Sequence, residues 1–372
     1  MNVPLVDMKA QYGPIKKEIN TAVLRIIESG MYIGGKEVEK FEEELARHCG
    51  SKYAVGVSSG TDALHLALRV FDIGPGDEVI SVPFTFMATT EAICLTGATP
   101  VFVDIDPKNF NMDASKIEKA ITKKTRAIMP VHLYGQAADM DPIMKLAKKY
   151  KLVVIEDAAQ AIGAEYKGKQ VGSIGDIGTL SFFPSKNLGA CGDAGAILTN
   201  RKDLIHKLKM LREHGSEKKY YHEYIGTNSR LDALQAAVLR IKLKYLDGWT
   251  EKRRELAKIY DNMVKPQKNM TLPAEEPYNK HIYNQYTLRV KKREYLREFL
   301  EANGISSISY YPVPMHFQKA FKPLKYKKGD FPESEKAAKE VLSIPIWPEL
   351  GTDKITYVAE KINDFFNINR KI

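Results

Sequence analysis

The sequence predicts an α/β protein with a mostly parallel central sheet in a large domain and a smaller C-terminal α/β domain. Short apolar runs of strand length cover residues 53–57, 78–82, 101–103, 126–131, 152–156, 178–183 and 195–199. Helix-like or turn segments separate these runs, and that alternation is typical of a parallel sheet covered by helices. Ligands of such sheets bind outside the carboxyl ends of the strands. We therefore expect the functional residues to follow these runs.

Helical patterns precede and follow the predicted sheet. Two of them, 14–28 and 37–48, come before the first strand, and a long one covers 231–264. We place the domain boundary near Trp249, so that residues 1–249 form an N-terminal segment with the large domain and residues 250–372 form the small domain. Further elements are expected in the small domain: strands near 283–290 and 307–311, and helices near 293–303, 333–342 and 353–366.

Composition limits the class of protein. The 372 residues are 44% hydrophobic and 27% charged, which is enough for a substantial core in two domains. No apolar run is long enough to cross a membrane, and the N-terminus lacks the pattern of a secretory signal. The three cysteines are scattered without metal-ligand spacing, so we expect no metal site and a cytoplasmic location. A net charge of +10 suits an anionic partner, although lysine-rich helix faces explain most of it.

Two polar residues at the ends of apolar runs suggest carbonyl chemistry. Lys186 follows the run 179–183 on a turn that leads into glycines. A partly desolvated lysine amine loses its proton easily and can form a Schiff base with a carbonyl compound. Asp157 ends another run and could hold its carboxylate against a pyridinium nitrogen. Each residue alone also has an ordinary interpretation, Lys186 as a solvated loop charge and Asp157 as a helix cap.

A third strand end suggests an anion site. The run 53–57 is followed by Gly60 and Thr61 at the start of a predicted helix. A helix N-terminus offers unpaired N–H groups, Gly60 lets a phosphate approach closely, and Thr61 adds a hydroxyl. The alternative is an ordinary N-cap. The glycines lack both the dinucleotide fingerprint and the P-loop pattern, which disfavours NAD and ATP as ligands.

Four ordered motifs carry a family resemblance. They are Ser-Gly-Thr-Asp-Ala-Leu at 59–64, Glu-Asp-Ala-Ala-Gln at 156–160, Ser-Phe-Phe-Pro-Ser-Lys at 181–186 and Gly-Thr-Asn-Ser-Arg-Leu at 226–231. Over nearly its whole length the chain resembles the DegT/StrS-type sugar aminotransferases, which use pyridoxal 5′-phosphate (PLP). The resemblance implies the aspartate aminotransferase fold, that is, PLP-dependent transferase fold type I, with pyridoxamine phosphate as the form that carries the amino group.

The resemblance also implies roles for individual residues in holding PLP. Lys186 forms the Schiff base and carries protons, Asp157 pairs with the ring nitrogen, and Gln160 donates to the phenolic oxygen. The other implied cofactor contacts are Gly60, Thr61, Ser181 and Asn228 at the phosphate and Phe86 on the ring face. Phe86 has core packing as its alternative. His132 is interpreted as a structural histidine, because Lys186 already supplies a general base.

Four further residues are candidate substrate contacts by resemblance: Gln11, Tyr32, Tyr311 and His316. Their alternatives are a helix-entry polar residue for Gln11, an aromatic lid over the core for Tyr32, and packing or loop anchoring for the other two. Asn228 is expected to reach the cofactor phosphate of a neighbouring subunit. The resemblance therefore implies a homodimer with shared active sites. The alternative is that the loop with Asn228 is an exposed hairpin that binds nothing.

The implied reaction moves an amino group from L-glutamate to a keto group of a nucleotide-linked sugar. Resemblance favours C3 of a dTDP-3-keto-6-deoxyhexose, with a UDP-2-acetamido-3-keto-hexuronate as the alternative acceptor. A dehydratase branch of the family has histidine where this chain has Lys186, so transamination is expected. A regulatory or nucleic-acid-binding protein on the same fold is the alternative from another class. The absence of zinc-finger spacing and of a convincing helix-turn-helix disfavours it, and neither nucleic acid nor membrane is an expected partner.

Overall fold

A computed structural model describes residues 1–368, and its helices lie mostly where the sequence predicts them. The α-helices are α1 (Met8–Ser29), α2 (Gly35–His48), α3 (Gly60–Arg69), α4 (Met87–Leu95), α5 (Ile117–Ala120), α6 (Met140–Tyr150), α7 (Lys202–Leu211), α8 (Ala233–Leu243), α9 (Leu246–Met263), α10 (Arg293–Ala302), α11 (Pro332–Glu340) and α12 (Thr352–Ile368). Short 3-10 helices cover Ala114–Lys116, Leu133–Gly135, Met315–Phe317 and Lys319–Leu324.

The strands include one for each of the seven predicted apolar runs. They are β1 (Tyr53–Val57), β2 (Glu78–Ser81), β3 (Thr99–Phe102), β4 (Thr125–Ile128), β5 (Val153–Asp157), β6 (Glu165–Tyr166), β7 (Lys169–Gln170), β8 (Ile177–Ser181), β9 (Gly195–Thr199), β10 (Ser216–Lys218), β11 (Tyr221–His222), β12 (Met270–Thr271), β13 (Asn279–Lys280), β14 (Tyr286–Val290) and β15 (Val341–Ile344).

The seven strands that match the predicted runs form one sheet in the order β1-β9-β8-β5-β4-β2-β3. All neighbours from β8 to β3 are parallel, and β9 runs antiparallel to both β8 and β1. The predicted mostly parallel sheet is therefore confirmed. Because β9 alone is reversed, β1 points the same way as β8, and the carboxyl ends of six strands meet at one edge.

Helices cover both faces of this sheet, which explains why its strands are apolar without interruption. Successive residues of a strand point to opposite faces, so Val79 and Ile80 enter different cores. The first core packs the sheet against helices such as α2, α6 and α8, and the second against α3, α4 and α7. The carboxyl edge stays open between these layers, and the functional residues lie there.

The C-terminal part has its own core around the sheet β12-β14-β15. Helices α9, α10 and α12 pack on it, and Val3 from the N-terminus is buried in it. The predicted helical stretch 231–264 is broken between α8 and α9. The boundary near Trp249, inside α9, stays a prediction, and the last four residues of the predicted domain 250–372 lie outside the described residues.

One prediction for the C-terminal part was wrong, and one predicted helix ends two residues early. Residues 307–311 form no strand; a single bridge joins Ile308 to Ser343, and Pro312 cannot extend the pairing because it has no N–H donor. The predicted helix 333–342 ends at Glu340, and Val341 begins β15. Val341–Ile344 is buried throughout and pairs with β14, so sheet packing decides its conformation.

Candidate active site

The Lys186 loop leaves the carboxyl end of β8 and turns back toward β9. The Lys186 N–H donates to the Phe183 carbonyl at 2.8 Å, and the Ala190 N–H donates to the Phe182 carbonyl at 2.8 Å. The Lys186 side chain is half-buried, and desolvation lowers the pKa of its amine to about 8, although the negative charge of Asp157 acts in the opposite direction. About a tenth of the amine is therefore unprotonated at pH 7, far more than for an ordinary lysine, and this form is the nucleophile.

The lowered pKa of Lys186 predicts how the rate of PLP attachment depends on pH. The reactive free amine becomes more abundant as the pH rises through about 8. Covalent attachment of PLP to the cofactor-free protein should accelerate about tenfold per pH unit below pH 8 and level off above it. Stopped-flow absorbance measures the rate, and N-α-acetyl-lysine controls for the pH dependence of the aldehyde itself. A rate that keeps rising to the ordinary lysine value of 10.5 would contradict a lowered pKa.

Asp157 ends β5 beside β8, and its carboxylate is held by two donors. The Thr89 hydroxyl donates to Oδ2 at 2.7 Å, and the Ala159 N–H donates to Oδ1 at 3.2 Å. Burial raises the pKa of Asp157, whereas these hydrogen bonds and the positive charge of Lys186 oppose the rise. A buried carboxylate with an opposite charge nearby can hold a protonated ring nitrogen.

Gln160 and two aromatic residues lie next to this pair. The Tyr134 N–H donates to Gln160 Oε1 at 2.7 Å, and Gln160 Nε2 donates to the Tyr311 hydroxyl at 2.9 Å. The rings of Tyr311 and Phe86 are 5.8 Å apart. Phe86 is 57% exposed, which argues against the core-packing alternative and leaves a ring face free. The structure thus brings Tyr311, Gln160 and Phe86 together beside Asp157.

The start of α3 forms a small cradle with the end of β8. Val57 and Ser181 both pair with Gly195, so the two strand ends lie on either side of β9. A Cβ atom on Gly60 would lie 2.6 Å from Ser181 Cβ, which shows how closely these residues approach.

The N–H groups of this cradle are available to an anion. The Ser59 hydroxyl caps α3 by accepting from the Asp62 N–H at 3.1 Å. Within residues 1–368 the N–H groups of Gly60 and Thr61 donate to no protein acceptor. Unpaired N–H groups at a helix start beside a serine hydroxyl fit a phosphate.

Gln11, a candidate substrate contact, is hydrogen-bonded within the fold. Gln11 is buried, and its Oε1 accepts from Lys242 Nζ at 3.1 Å. Lys242 also donates to the Gly189 carbonyl at 2.7 Å, so Gln11 supports the Lys186 loop from behind. The amide oxygen of Gln11 thus already has a buried partner, and a contact between Gln11 and substrate stays a prediction.

His316 lies in an apolar cluster, and its contact with substrate stays a prediction. Its ring is 5% exposed, lies 5.0 Å from the Phe331 ring, and its Nε2 is 3.3 Å from Glu335 Oε1. Burial lowers the pKa of His316, while Glu335 opposes this. The side chain therefore anchors its loop in the apolar cluster around Phe331, as the alternative interpretation describes.

Tyr32 and Asn228 are exposed. Tyr32 is 47% exposed and its hydroxyl donates to the Ile27 carbonyl at 3.2 Å, so it does not cover the core. Asn228 lies on the segment that follows the β10–β11 hairpin, and its neighbour Ser229 accepts from the Ser58 N–H at 3.1 Å. Both residues are accessible to a partner or substrate, and their roles stay predictions.

His132 is satisfied within the fold, as predicted. Its Nδ1 accepts from the Ala138 N–H at 3.1 Å, and its Nε2 lies 2.9 Å from Glu156 Oε2. Glu156 is fully buried and also accepts N–H groups of Gly172, Ile174 and Gly175 at 2.8, 2.8 and 2.6 Å. This network fixes the end of β5 and hence the position of Asp157.

Sequence reasoning missed two residues of the site. Thr89 contacts Asp157, and the Tyr134 N–H fixes Gln160. Thr89 has no clear local signal, because Thr85 and Thr89 lie on either side of the start of α4 and only the folded turn brings their hydroxyls together. Tyr134 acts through its backbone, which a sequence does not reveal.

The residues fit PLP in their chemistry. The site supplies an amine of lowered pKa, a buried carboxylate, an exposed aromatic face and a cradle of unpaired N–H groups, from Lys186, Asp157, Phe86 and Gly60 respectively. Within residues 1–368, no cluster of three or more His, Cys, Asp or Glu side chains could hold a metal ion, and no helix is long and apolar enough to span a membrane. Fold and site together define an aminotransferase of the PLP-dependent fold type I class.

Comparison with known proteins gives the family. The model of the DegT/DnrJ/EryC1/StrS aminotransferase family matches residues 14–363, and the chain belongs to this family. It is 49% identical to the "Pleiotropic regulatory protein" of Geobacillus stearothermophilus, covering 98% of this chain and 99% of the relative. It is 46% identical to dTDP-3-amino-3,6-dideoxy-alpha-D-galactopyranose transaminase of Aneurinibacillus thermoaerophilus, over 98% and 99% of the two chains. It is also 46% identical to UDP-N-acetyl-3-dehydro-alpha-D-glucosamine 3-aminotransferase of Acidithiobacillus ferrooxidans, over 97% of each chain.

Solved structures agree with this assignment. The crystal structure of S. venezuelae DesV superposes with a TM-score of 0.96 at 44% identity and covers 98% of each chain. The structure of NtdA from Bacillus subtilis with bound pyridoxamine phosphate superposes with a TM-score of 0.92 at 33% identity, covering 98% of this chain and 85% of that one. The predicted fold type I and the predicted cofactor, PLP, are confirmed.

Proposed function

We propose that this protein transfers an amino group from L-glutamate to C3 of a nucleotide-linked 3-keto-sugar, specifically a dTDP-3-keto-6-deoxyhexose. The observation that carries the chemistry is the half-buried Lys186 amine beside the buried Asp157 carboxylate. Two relatives at 46% identity support the position on the sugar, because both names refer to an amino or keto group at carbon 3. They differ in the nucleotide, which is dTDP in one and UDP in the other.

Different residues of this chain have different roles in the proposed reaction. PLP, when bound, supplies an electron-withdrawing ring that stabilises charge on the carbon that loses a proton. Lys186 holds the cofactor and then moves a proton between the Cα of the amino donor and C4′ of the cofactor. Asp157 keeps the ring nitrogen protonated, and Phe86 covers one ring face. Gly60, Thr61 and Ser181 hold the phosphate.

The nucleotide of the acceptor can be tested directly. Protein in the pyridoxamine phosphate form is mixed with either the dTDP-3-keto-6-deoxyhexose or the UDP-2-acetamido-3-keto-hexuronate, and return of the PLP absorbance is followed. We expect the dTDP sugar to react at least about tenfold faster, because a mismatched polar contact costs more than 1 kcal/mol. A preference for the UDP sugar would instead assign the alternative acceptor.

The exposed hairpin supports a shared active site. Tyr220, Tyr221 and Ile225 around β10 and β11 are 81%, 66% and 86% exposed, which is unusual for large apolar side chains. Asn228 follows them, three residues after Ile225, and is exposed as well. We infer a homodimer in which this hairpin packs on the partner and Asn228 contacts the partner's cofactor phosphate. The two sites of such a dimer each need both chains.

Mixed dimers test this arrangement. Asn228→Ala should weaken cofactor retention about tenfold, since a hydrogen bond to a charged group is lost. Dimers reassembled from equal amounts of Lys186→Ala and Asn228→Ala chains should regain about a quarter of the wild-type activity at limiting PLP, because half of the dimers contain one complete site. No regain would place Asn228 in the site of its own subunit, and wild-type cofactor retention in Asn228→Ala alone would place it in neither site.

A regulatory protein on the same fold is the second candidate, because one close relative carries that name and the chain has a net charge of +10. Cofactor-free protein should then bind DNA with strong salt dependence. We expect no such binding, since the complete constellation around Lys186 serves chemistry. We also place the protein in the cytoplasm, which is supported by the unpaired state of Cys49, Cys94 and Cys191.

A further inference from the structure

Two buried threonine hydroxyls lie in line with the Asp157 carboxylate. Thr85 and Thr89 are each 1% exposed. Their Oγ1 atoms are 2.8 Å apart, and Thr89 Oγ1 is 2.7 Å from Asp157 Oδ2. An ionised carboxylate only accepts, and each hydroxyl has a single proton to give. Thr89 therefore donates to Asp157, and Thr85 donates to Thr89.

The local fold dictates this chain of hydrogen bonds. Thr85 lies in the bend between β2 and α4, and Thr89 lies in the first turn of α4. The hydrogen bond between their hydroxyls spans the start of the helix. Phe86 lies between them as the residue that precedes α4. The segment that presents the Phe86 ring thus also supplies Thr89, the side-chain donor to Asp157, so one turn positions both implied ring contacts.

We propose that Thr85 and Thr89 are positioning residues that keep the Asp157 carboxylate ionised and oriented toward the ring nitrogen of the cofactor. The proposal rests on the proposed role of Asp157. The threonines act on Oδ2 of the carboxylate, whereas the Ala159 N–H binds Oδ1. With Oδ2 held by Thr89 and Oδ1 by Ala159, the carboxylate cannot rotate without breaking a hydrogen bond.

The charge balance around Asp157 shows why a hydroxyl donor matters. Burial disfavours the ionised form, and the groups that face the carboxylate are Lys186, His132 and Tyr311 besides Thr89. In the proposed reaction the Lys186 nitrogen is alternately bonded to the cofactor and free, so its charge interaction with Asp157 is not constant. The hydrogen bond from Thr89 does not involve the Lys186 nitrogen, because Thr89 donates directly to Asp157 Oδ2.

Binding of pyridoxamine phosphate, followed by fluorescence, tests the proposal without any turnover. This probe has no aldehyde, so its affinity reports only noncovalent contacts. Thr89→Val should weaken its binding about tenfold or more, because it removes the donor while keeping the shape. Thr89→Ser should restore affinity to within about twofold, and Thr85→Val should weaken binding less than Thr89→Val and add nothing to it in the double variant.

The chain provides a matched control on the same helix. Thr90 is 0% exposed, and in the described part of the chain its Oγ1 has no hydrogen-bond partner. Thr90→Val makes the same chemical change one residue away and should leave affinity within about twofold of the wild type. A second control uses a pyridoxamine phosphate analogue with carbon in place of the ring nitrogen, which Thr89→Val should bind as well as the wild type does.

The outcomes separate this proposal from the role of Asp157. If Asp157→Asn weakens pyridoxamine phosphate binding but Thr89→Val and Thr85→Val do not, the positioning role of the two threonines is wrong and Asp157 keeps its role. If Asp157→Asn binds the probe like the wild type, both are wrong. If Thr89→Val loses as much affinity for the analogue without the ring nitrogen as for pyridoxamine phosphate, Thr89 acts on packing alone. This result would also overturn the positioning role.

Discussion

Replacing Lys186 by alanine is expected to slow transamination by about 10⁴-fold, because one side chain both holds the cofactor and carries the proton. The variant should still bind PLP through Asp157 and the cradle at Gly60. The rate of the half-reaction with L-glutamate, followed by absorbance, measures the loss. Small primary amines added in solution should restore part of the rate, since they can carry the same proton. Unchanged turnover in Lys186→Ala would remove this lysine from the mechanism.

Asp157→Asn is expected to slow the same half-reaction on the order of 10³-fold, in the range found when one preorganised electrostatic contact is removed. Asparagine keeps the size of the side chain but cannot hold a proton on the ring nitrogen by charge. The affinity for pyridoxamine phosphate should fall in parallel. A variant with wild-type rate and affinity would show that the ring nitrogen meets another group.

Asp104 offers a matched control for Asp157. It is 3% exposed, follows β3 in the same sheet, and accepts the Glu333 and Ser334 N–H groups at 2.9 Å each. Its carboxylate therefore caps α11. Asp104→Asn should lower the free energy of unfolding by about 1 kcal/mol and leave cofactor affinity unchanged. Loss of affinity in this variant would mean that any buried aspartate change disturbs the site.

The sequence predicted the central sheet well because both of its faces are buried. A strand covered on both sides has to be apolar throughout, and the runs that contain Val79 and Ile155 show this without reference to any neighbour. The strand ends then located Asp157, since parallel strands place their carboxyl ends at one edge, whereas Ser181 was assigned by resemblance alone. Lys186 was found for the same reason, as a polar residue just beyond a buried strand.

The surroundings of several candidate residues depend on contacts between residues far apart in the sequence. The partner of Gln11 is Lys242, 231 residues away, and the Glu335 contact of His316 depends on packing around Phe331. Neither partner is visible in a local pattern. The composition of segment 307–311 is typical of a strand, but within this segment only Ile308 forms a β-bridge, with Ser343.

One measurement tests the central claim that Lys186 holds PLP and starts transamination. Visible absorption spectra of the PLP-loaded protein are recorded before and after L-glutamate, and the protein is then reduced with borohydride and its peptides are mapped. We predict a visible band that fades with glutamate and, in the protein reduced without glutamate, a cofactor label on Lys186. A band that does not respond to glutamate, or a label on another lysine, would contradict the account.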